Sequence, residues 1–120
     1  MSPSIANGKV CYLEIPATDA AVSSAFYAAV FGWKLRKRDN GIIAFDDGVE
    51  VSGMWVLNRR PSADPGIIIS IMVDDATATV DRITAQGGEI VQPIDPNAHE
   101  IIAHFRDPGG NVLGIYQHRG

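Results

Sequence analysis

The chain has 120 residues, of which 46% are hydrophobic and 20% charged, and its formal net charge is -4 at pH 7. This length predicts a single domain over residues 1–120, and the apolar content is sufficient for a core. Because nucleic-acid binding requires a basic surface, we expect no nucleic-acid partner. No signal-peptide pattern is present and no apolar run approaches the ~18 residues of a membrane span, so we expect a cytoplasmic protein without membrane contact.

The first half of the chain predicts one strand, one helix and three further strands. Residues 9–15 alternate between two faces, as a strand does. Asp19 provides N-cap chemistry for a helix, and Gly32 is a suitable residue for its C-terminal end. The apolar stripe of this helix is predicted from helical spacing to comprise Val22, Ala25, Phe26, Ala29 and Val30. The next strands are predicted at 33–38, 42–45 and 49–57.

The second half predicts the same order of elements after a polar linker, residues 60–66, which is rich in proline and glycine. A strand is expected at 67–73, and a helix capped by Asp74 or Asp75 is expected to end at Gly87-Gly88. The remaining strands are predicted at 89–94, 100–105 and 112–117. The sequence therefore predicts an α+β fold of two βαβββ units, at about 9–57 and 67–117.

The two halves also correspond residue by residue. Tyr12 lies seven residues before Asp19, as Ile68 lies seven before Asp75. Phe45-Asp46-Asp47 resembles Phe105-Arg106-Asp107 in the same way. An internal repeat indicates the architecture directly, and two copies favour a pseudo-symmetric domain with a site between its halves.

Two motifs resemble a known superfamily. Phe26-Tyr27 followed by Phe31-Gly32-Trp33 is similar to the helix end of vicinal oxygen chelate proteins, and Phe105-Arg106-Asp107-Pro108-Gly109-Gly110-Asn111 is similar to one of their turns. This superfamily contains glyoxalases, bleomycin resistance proteins and extradiol dioxygenases. The resemblance implies that the two units form a curved, partly open barrel-like sheet around a cavity, with the helices outside. It also implies a homodimer, whereas it leaves the reaction open.

The same resemblance identifies four strand positions at which the metal-dependent members hold a divalent ion. In this chain they correspond to Tyr12, Gly53, Ile68 and Gly114. Metal-dependent relatives have histidine or glutamate there, because the ion needs imidazole or carboxylate donors. The sequence therefore predicts no metal site and no other cofactor.

Strand alternation assigns further residues to the cavity side of these positions. Glu14 is expected beside Tyr12, Trp55 beside Gly53, Met72 beside Ile68, and Tyr116 beside Gly114. The opposite faces are apolar and are predicted to form the core, with Cys11 and Ile69 among their members. A cavity lined by aromatic residues fits a flat or apolar small organic ligand.

Three functions remain open from the sequence. The first is metal-independent binding of a small organic molecule at the residues named above. The second is a lyase, isomerase or epimerase in which Glu14 acts as acid or base, with Tyr12 or His104 as its partner. The third is a structural or regulatory subunit in which the aromatic residues only fill a closed core. Two other residues are interpreted structurally: Trp33 as a contact between helix and sheet, and Asp107 as part of the turn before the last strand.

Overall fold

The computed structural model describes residues 7–48 and 51–118, so Val49 and Glu50 of the predicted 49–57 strand lie outside the described residues. The first unit is built in the predicted order. Its elements are β1 (Tyr12–Pro16), α1 (Ala20–Phe31), β2 (Lys34–Lys37), β3 (Ile43–Asp46) and β4 (Ser52–Val56). They form a four-stranded sheet in the order β1-β4-β3-β2, in which only β1 and β4 are parallel.

The second unit has the same topology. Its elements are β5 (Ser70–Met72), α2 (Ala76–Ala85), β6 (Glu89–Gln92), β7 (Ile101–Arg106) and β8 (Val112–Gln117). The sheet order is β5-β8-β7-β6, again with one parallel pair at the start of the unit. The α+β fold of two tandem βαβββ units is therefore confirmed. The two sheets stay separate and do not close into a barrel.

Side-chain caps set the beginnings of both helices. The Asp19 carboxylate accepts hydrogen bonds from the amides of Ala21 and Val22, and the Asp75 carboxylate accepts one from Ala78. These bonds satisfy amides that have no partner within the first helical turn. Gly32 ends α1 in the left-handed conformation, with φ of 75°. No helix among the described residues is long and apolar enough to cross a membrane.

Aromatic side chains form the centre of the core. Tyr27 on α1 stacks on Trp33 with ring centroids 4.7 Å apart, and Trp33 stacks on Phe45 of β3 at 4.4 Å. Tyr27 also lies 6.4 Å from Phe105, which belongs to the second sheet. One hydrophobic cluster thus spans both units. The interpretation of Trp33 as a contact between helix and sheet is confirmed.

A buried polar network, the Asp107 clamp, also joins the units. Its members are Tyr27, Asp107 and Asn111. The Tyr27 hydroxyl donates to Asp107 Oδ2 over 2.8 Å, and Asn111 Nδ2 donates to the carbonyl of Pro16 over 2.7 Å. The linker is held by the same group, because the amide of Ser62 donates to Asn111 Oδ1. The turn at Asp107 therefore connects two strands and also links the second unit to the first unit and to the linker.

Three predictions about the core were wrong. Cys11 is exposed, because it precedes β1 at the edge of the first sheet. Ile69 is 43% exposed, because it lies just before the short edge strand β5. The buried face of α1 is shifted from the predicted stripe: Val22 is 52% exposed, and the buried residues are Ser23, Ser24, Phe26, Tyr27 and Val30.

Candidate functional site

Strand register defines one face on each sheet that points away from the aromatic core. On the first sheet, Tyr12 lies beside Ser52, and Glu14 lies beside Met54. We call this side the Tyr12 face: Tyr12, Glu14, Ser52 and Met54. On the second sheet, the corresponding side is the Tyr116 face, whose residues are Ser70, Met72, Ile102, His104, Gly114 and Tyr116. Ile68 precedes β5 and contacts this face beside Gly114.

The prediction that Gly53 and Trp55 share a face with Tyr12 was wrong. Gly53 pairs with Leu13, and Trp55 pairs with Ile15, so both point into the core. Trp55 is 2% exposed and packs against Phe45, with ring centroids 4.9 Å apart. A Cβ on Gly53 would lie 2.7 Å from the Phe45 ring, so the glycine accommodates core packing and leaves no space for a ligand.

Met54 therefore occupies the position that was assigned to Gly53. It lies seven residues after Asp47, as Gly114 lies seven after Asp107, and this spacing is the sequence signal that identifies it. The four positions that correspond to the metal ligands of the metal-dependent relatives are then Tyr12, Met54, Ile68 and Gly114. None offers the imidazole or carboxylate that zinc, nickel or ferrous iron requires, so these residues do not fit the metal of the metal-dependent relatives. Across residues 7–48 and 51–118, no group of three or more His, Cys, Asp or Glu residues could hold a metal ion.

Gly114 differs from Gly53 in what surrounds it. A Cβ on Gly114 would lie 2.7 Å from Ser70 Oγ, and 3.2 Å from both His104 Cδ2 and Ile68 Cγ2. Three side chains therefore converge over the glycine on the Tyr116 face. The space around Gly114 is therefore tightly filled. Because the nearest atom is a hydroxyl that can rotate, Ser70 could move to make room for a larger residue.

Both faces are open to solvent in the single chain. Tyr12 is 41% exposed and Met72 is 63% exposed, whereas Tyr116 is half-buried. A groove of about 700 Å³ reaches Met72, but it lies against the helices and is lined by Phe31, Trp33, Val73 and Arg82. Tyr12 and Tyr116 thus lie on accessible surfaces, and among the described residues of one chain they do not enclose a cavity.

Glu14 and His104 are not brought together. The Glu14 carboxylate makes an ion pair of 2.5 Å with Arg59, and its side chain is 41% exposed. His104 lies on the other sheet, where it lines a concavity of about 530 Å³ with Gln92 and Glu100. The Arg59 contact was missed from the sequence, because this arginine follows the last strand of its unit and no spacing links it to Glu14.

Comparison with known proteins agrees with this architecture. A sequence profile of the Glyoxalase/Bleomycin resistance protein/Dioxygenase superfamily matches residues 9–115. A glyoxylase-like domain-containing protein from Didymella fabae is 28% identical over 126 aligned positions, which cover 92% of this chain and 94% of that protein.

Solved structures share the fold at lower identity. The fosfomycin resistance protein FosX from Mesorhizobium loti has a TM-score of 0.75 and 14% identity, over 96% of this chain and 95% of that chain. TnmS3, an antibiotic binding protein from a Streptomyces species, has a TM-score of 0.70 and 24% identity, over 97% of this chain and 100% of that chain. The profile covers most of the sequence and the fold agrees with it, so the chain belongs to the glyoxalase/bleomycin resistance protein/dioxygenase superfamily.

Proposed function

We propose that this protein binds a small organic molecule without a metal, against the Tyr12 and Tyr116 faces. The observation that carries this proposal is the chemistry of the four positions Tyr12, Met54, Ile68 and Gly114. They supply apolar and aromatic contacts where a metalloenzyme needs imidazole or carboxylate donors. The neighbouring Met72 and Tyr116 add further apolar and aromatic surface. Exposed aromatic and thioether groups favour a planar, largely apolar ligand. An antibiotic binding protein shares the fold, so the fold is compatible with this role.

The site is completed by a second copy of the chain. Large hydrophobic residues are exposed along the inner edges of the two sheets: Val10 and Tyr12 at β1, and Ile67, Ile69 and Met72 at β5. The outer edge strand β2, in contrast, is entirely exposed and carries three cations, as is typical of an edge that is protected against pairing. Because exposed apolar residues at an unprotected edge favour association, we infer a dimer contact at β1 and β5.

Catalysis by Glu14 has less support. A general base must lie within hydrogen-bond reach of the proton that it removes, whereas the Glu14 carboxylate is half-exposed and its Oε1 is held by Arg59. The binding function therefore predicts that Glu14→Gln retains ligand affinity. The cytoplasmic location expected from the sequence stays a prediction.

Calorimetric titration with naphthalene, a planar apolar probe, tests this function. We expect saturable binding that is unchanged after dialysis against EDTA. Tyr116→Ala is expected to weaken it about tenfold, because an aromatic contact contributes about 0.5–1.5 kcal/mol beyond its buried area. Val22→Ala, at an exposed apolar residue of α1, serves as the control. Absence of binding, or binding that appears only with added Zn²⁺, Ni²⁺, Mn²⁺ or Fe²⁺, would refute the proposal.

A further inference from the structure

A row of polar residues crosses the Tyr116 face. Ser70 on β5 pairs with Gly114 on β8, and Gly114 pairs with His104 on β7. His104 pairs with Gln92 on β6 just after an irregularity in that strand, and both residues line the same concavity. Paired residues of neighbouring strands project from the same side of a sheet, so these four positions form one continuous row. The adjacent row is apolar and consists of Met72, Tyr116 and Ile102.

The glycine in the polar row allows its neighbours to converge. Ser70 Oγ and His104 Cδ2 lie 2.7 Å and 3.2 Å from the point that a Cβ of residue 114 would occupy. A larger residue there would separate the hydroxyl from the imidazole. Within the described part of the chain, neither the Ser70 hydroxyl nor the His104 imidazole has a hydrogen-bond partner. Two side chains with unpartnered polar atoms therefore approach the same point of the sheet, the serine by its hydroxyl oxygen and the imidazole by its Cδ2 edge.

The chemistry of this pair defines what it can recognise. A serine hydroxyl both donates and accepts, and a neutral imidazole has one donor and one acceptor nitrogen. Together they suit a phenolic or enolic hydroxyl, which both donates and accepts, or a ring carbonyl, which accepts from both groups. Neither group provides the fixed charge that a carboxylate or phosphate ligand favours.

The spacing of the two rows relates this oxygen to the rest of the ligand. Residues that are two apart on a strand lie about 7 Å apart on one face, which is the distance from Gly114 to Tyr116 along β8. A planar ring system over Met72 and Tyr116 can thus direct an oxygen on its edge towards Ser70 and His104. The apolar row would pack against the ring, and the polar row would form hydrogen bonds with its oxygen substituent.

We propose that Ser70 and His104, converging over Gly114, form a specificity site for the oxygen substituent of a planar aromatic ligand. This inference rests on the binding function proposed above, and it adds the class of ligand: hydroxylated or carbonyl-bearing aromatic compounds. The two residues contact the ligand and determine the ratio of its affinity to that of the unsubstituted hydrocarbon.

Paired titrations with 2-naphthol and naphthalene test the specificity site. The wild-type protein is expected to bind 2-naphthol about two- to tenfold more tightly than naphthalene, as one or two net hydrogen bonds would give. Ser70→Ala and His104→Phe are each expected to bring this ratio close to one, because each removes one of the two polar groups that would contact the oxygen. Gly114→Ala is expected to do the same by displacing Ser70 Oγ. Ser62→Ala and His118→Phe change an exposed serine and an exposed histidine elsewhere and are expected to keep the wild-type ratio.

The outcomes separate this inference from the function on which it rests. Naphthalene binding with an affinity ratio that is the same in the wild type, Ser70→Ala and His104→Phe would overturn the specificity site and leave the binding function intact. If the wild type binds neither probe, both proposals are overturned. Far-ultraviolet circular dichroism and the melting temperature of each variant show that it is folded. If both single variants unfold, a wild-type ratio in Gly114→Ala overturns the specificity site.

Discussion

Tyr27→Phe removes one hydroxyl from the Asp107 clamp and tests whether this network holds the two units together. The phenyl ring keeps the stacking contact with Trp33, while the 2.8 Å hydrogen bond to Asp107 Oδ2 is lost. The carboxylate retains bonds from the amide of Gly109, and from the amide and side chain of Asn111. A buried hydrogen bond to a charged group contributes about 1.5–3 kcal/mol, and the remaining donors limit the loss, so we expect the free energy of unfolding to fall by about 2 kcal/mol.

Urea unfolding at fixed protein concentration measures this change. Trp33 and Trp55 are both buried in the core that contacts Tyr27, so their fluorescence reports its unfolding. The midpoint is expected to fall while the denaturant slope stays constant. Tyr12→Phe is the matched control, because it removes the hydroxyl of an exposed tyrosine, and its effect is expected within ~0.5 kcal/mol. Equal stability of the two variants would refute the claim that the clamp contributes to folding.

The same residue predicts an alkaline dependence of stability. Burial raises the pKa of Tyr27 well above its usual value, and the charge of Asp107 and the hydrogen bond to it act in the same direction. Because the pKa is higher in the folded state than in the unfolded state, the stabilisation is complete below the unfolded value of about 10 and is lost as the pH rises above it. Above pH 10 the wild type is expected to lose up to about 1.4 kcal/mol per pH unit more than Tyr27→Phe. Parallel pH profiles of the two proteins would contradict this assignment.

Two further predictions concern packing and association. Gly53→Ala is expected to lower the free energy of unfolding in urea by about 3 kcal/mol. The added Cβ would clash with the backbone carbonyl of Leu13 and with the Phe45 ring. A loss below about 1 kcal/mol would show that this packing is misassigned. Ile67 is 83% exposed in the single chain, so Ile67→Asp is expected to leave each chain folded. Because it places a charge at the proposed contact, it is expected to weaken the dimer, as measured by light scattering. Val22→Asp, at an exposed residue of α1, is the control and is expected to keep the dimer. A dimer of equal affinity in Ile67→Asp would place the contact elsewhere.

Periodicity and turn chemistry predicted most of the architecture. Asp19, Gly32 and Asp75 have local roles that sequence spacing reveals, and the structure places each at the predicted helix end. The repeat predicted that both units have the same topology, because equal patterns of strand and helix fold in equal ways. These features depend on local interactions, which the sequence displays directly.

Strand register was harder to predict. Side chains alternate along a strand, so an error of one residue in aligning the two halves moves every assigned side chain to the opposite face. Matching Gly53 to Gly114 introduced that error on β4, whereas matching Asp47 to Asp107 selects Met54. The second sheet had no such ambiguity, and Met72, Gly114 and Tyr116 share one face as predicted.

Long-range partners could not be predicted from spacing. Tyr27 and Asp107 are 80 residues apart. A local role already accounts for each of them, Tyr27 in a helix and Asp107 in a turn, so nothing in the sequence indicates that they contact each other. Glu14 and Arg59 are similarly linked only by the way β1 returns beside β4. The apolar edges at β1 and β5 likewise depend on which strands the sheets leave unpaired.

Metal analysis of the untagged protein, purified without added metal, tests the central claim most directly. Inductively coupled plasma mass spectrometry, combined with naphthalene titration of the same sample, gives the metal content and the binding capacity together. The donor chemistry of Tyr12, Met54, Ile68 and Gly114 predicts far less than one Zn, Ni, Mn or Fe per chain in a protein that binds the probe fully. One tightly bound ion per chain, whose removal by EDTA abolishes binding, would contradict the account.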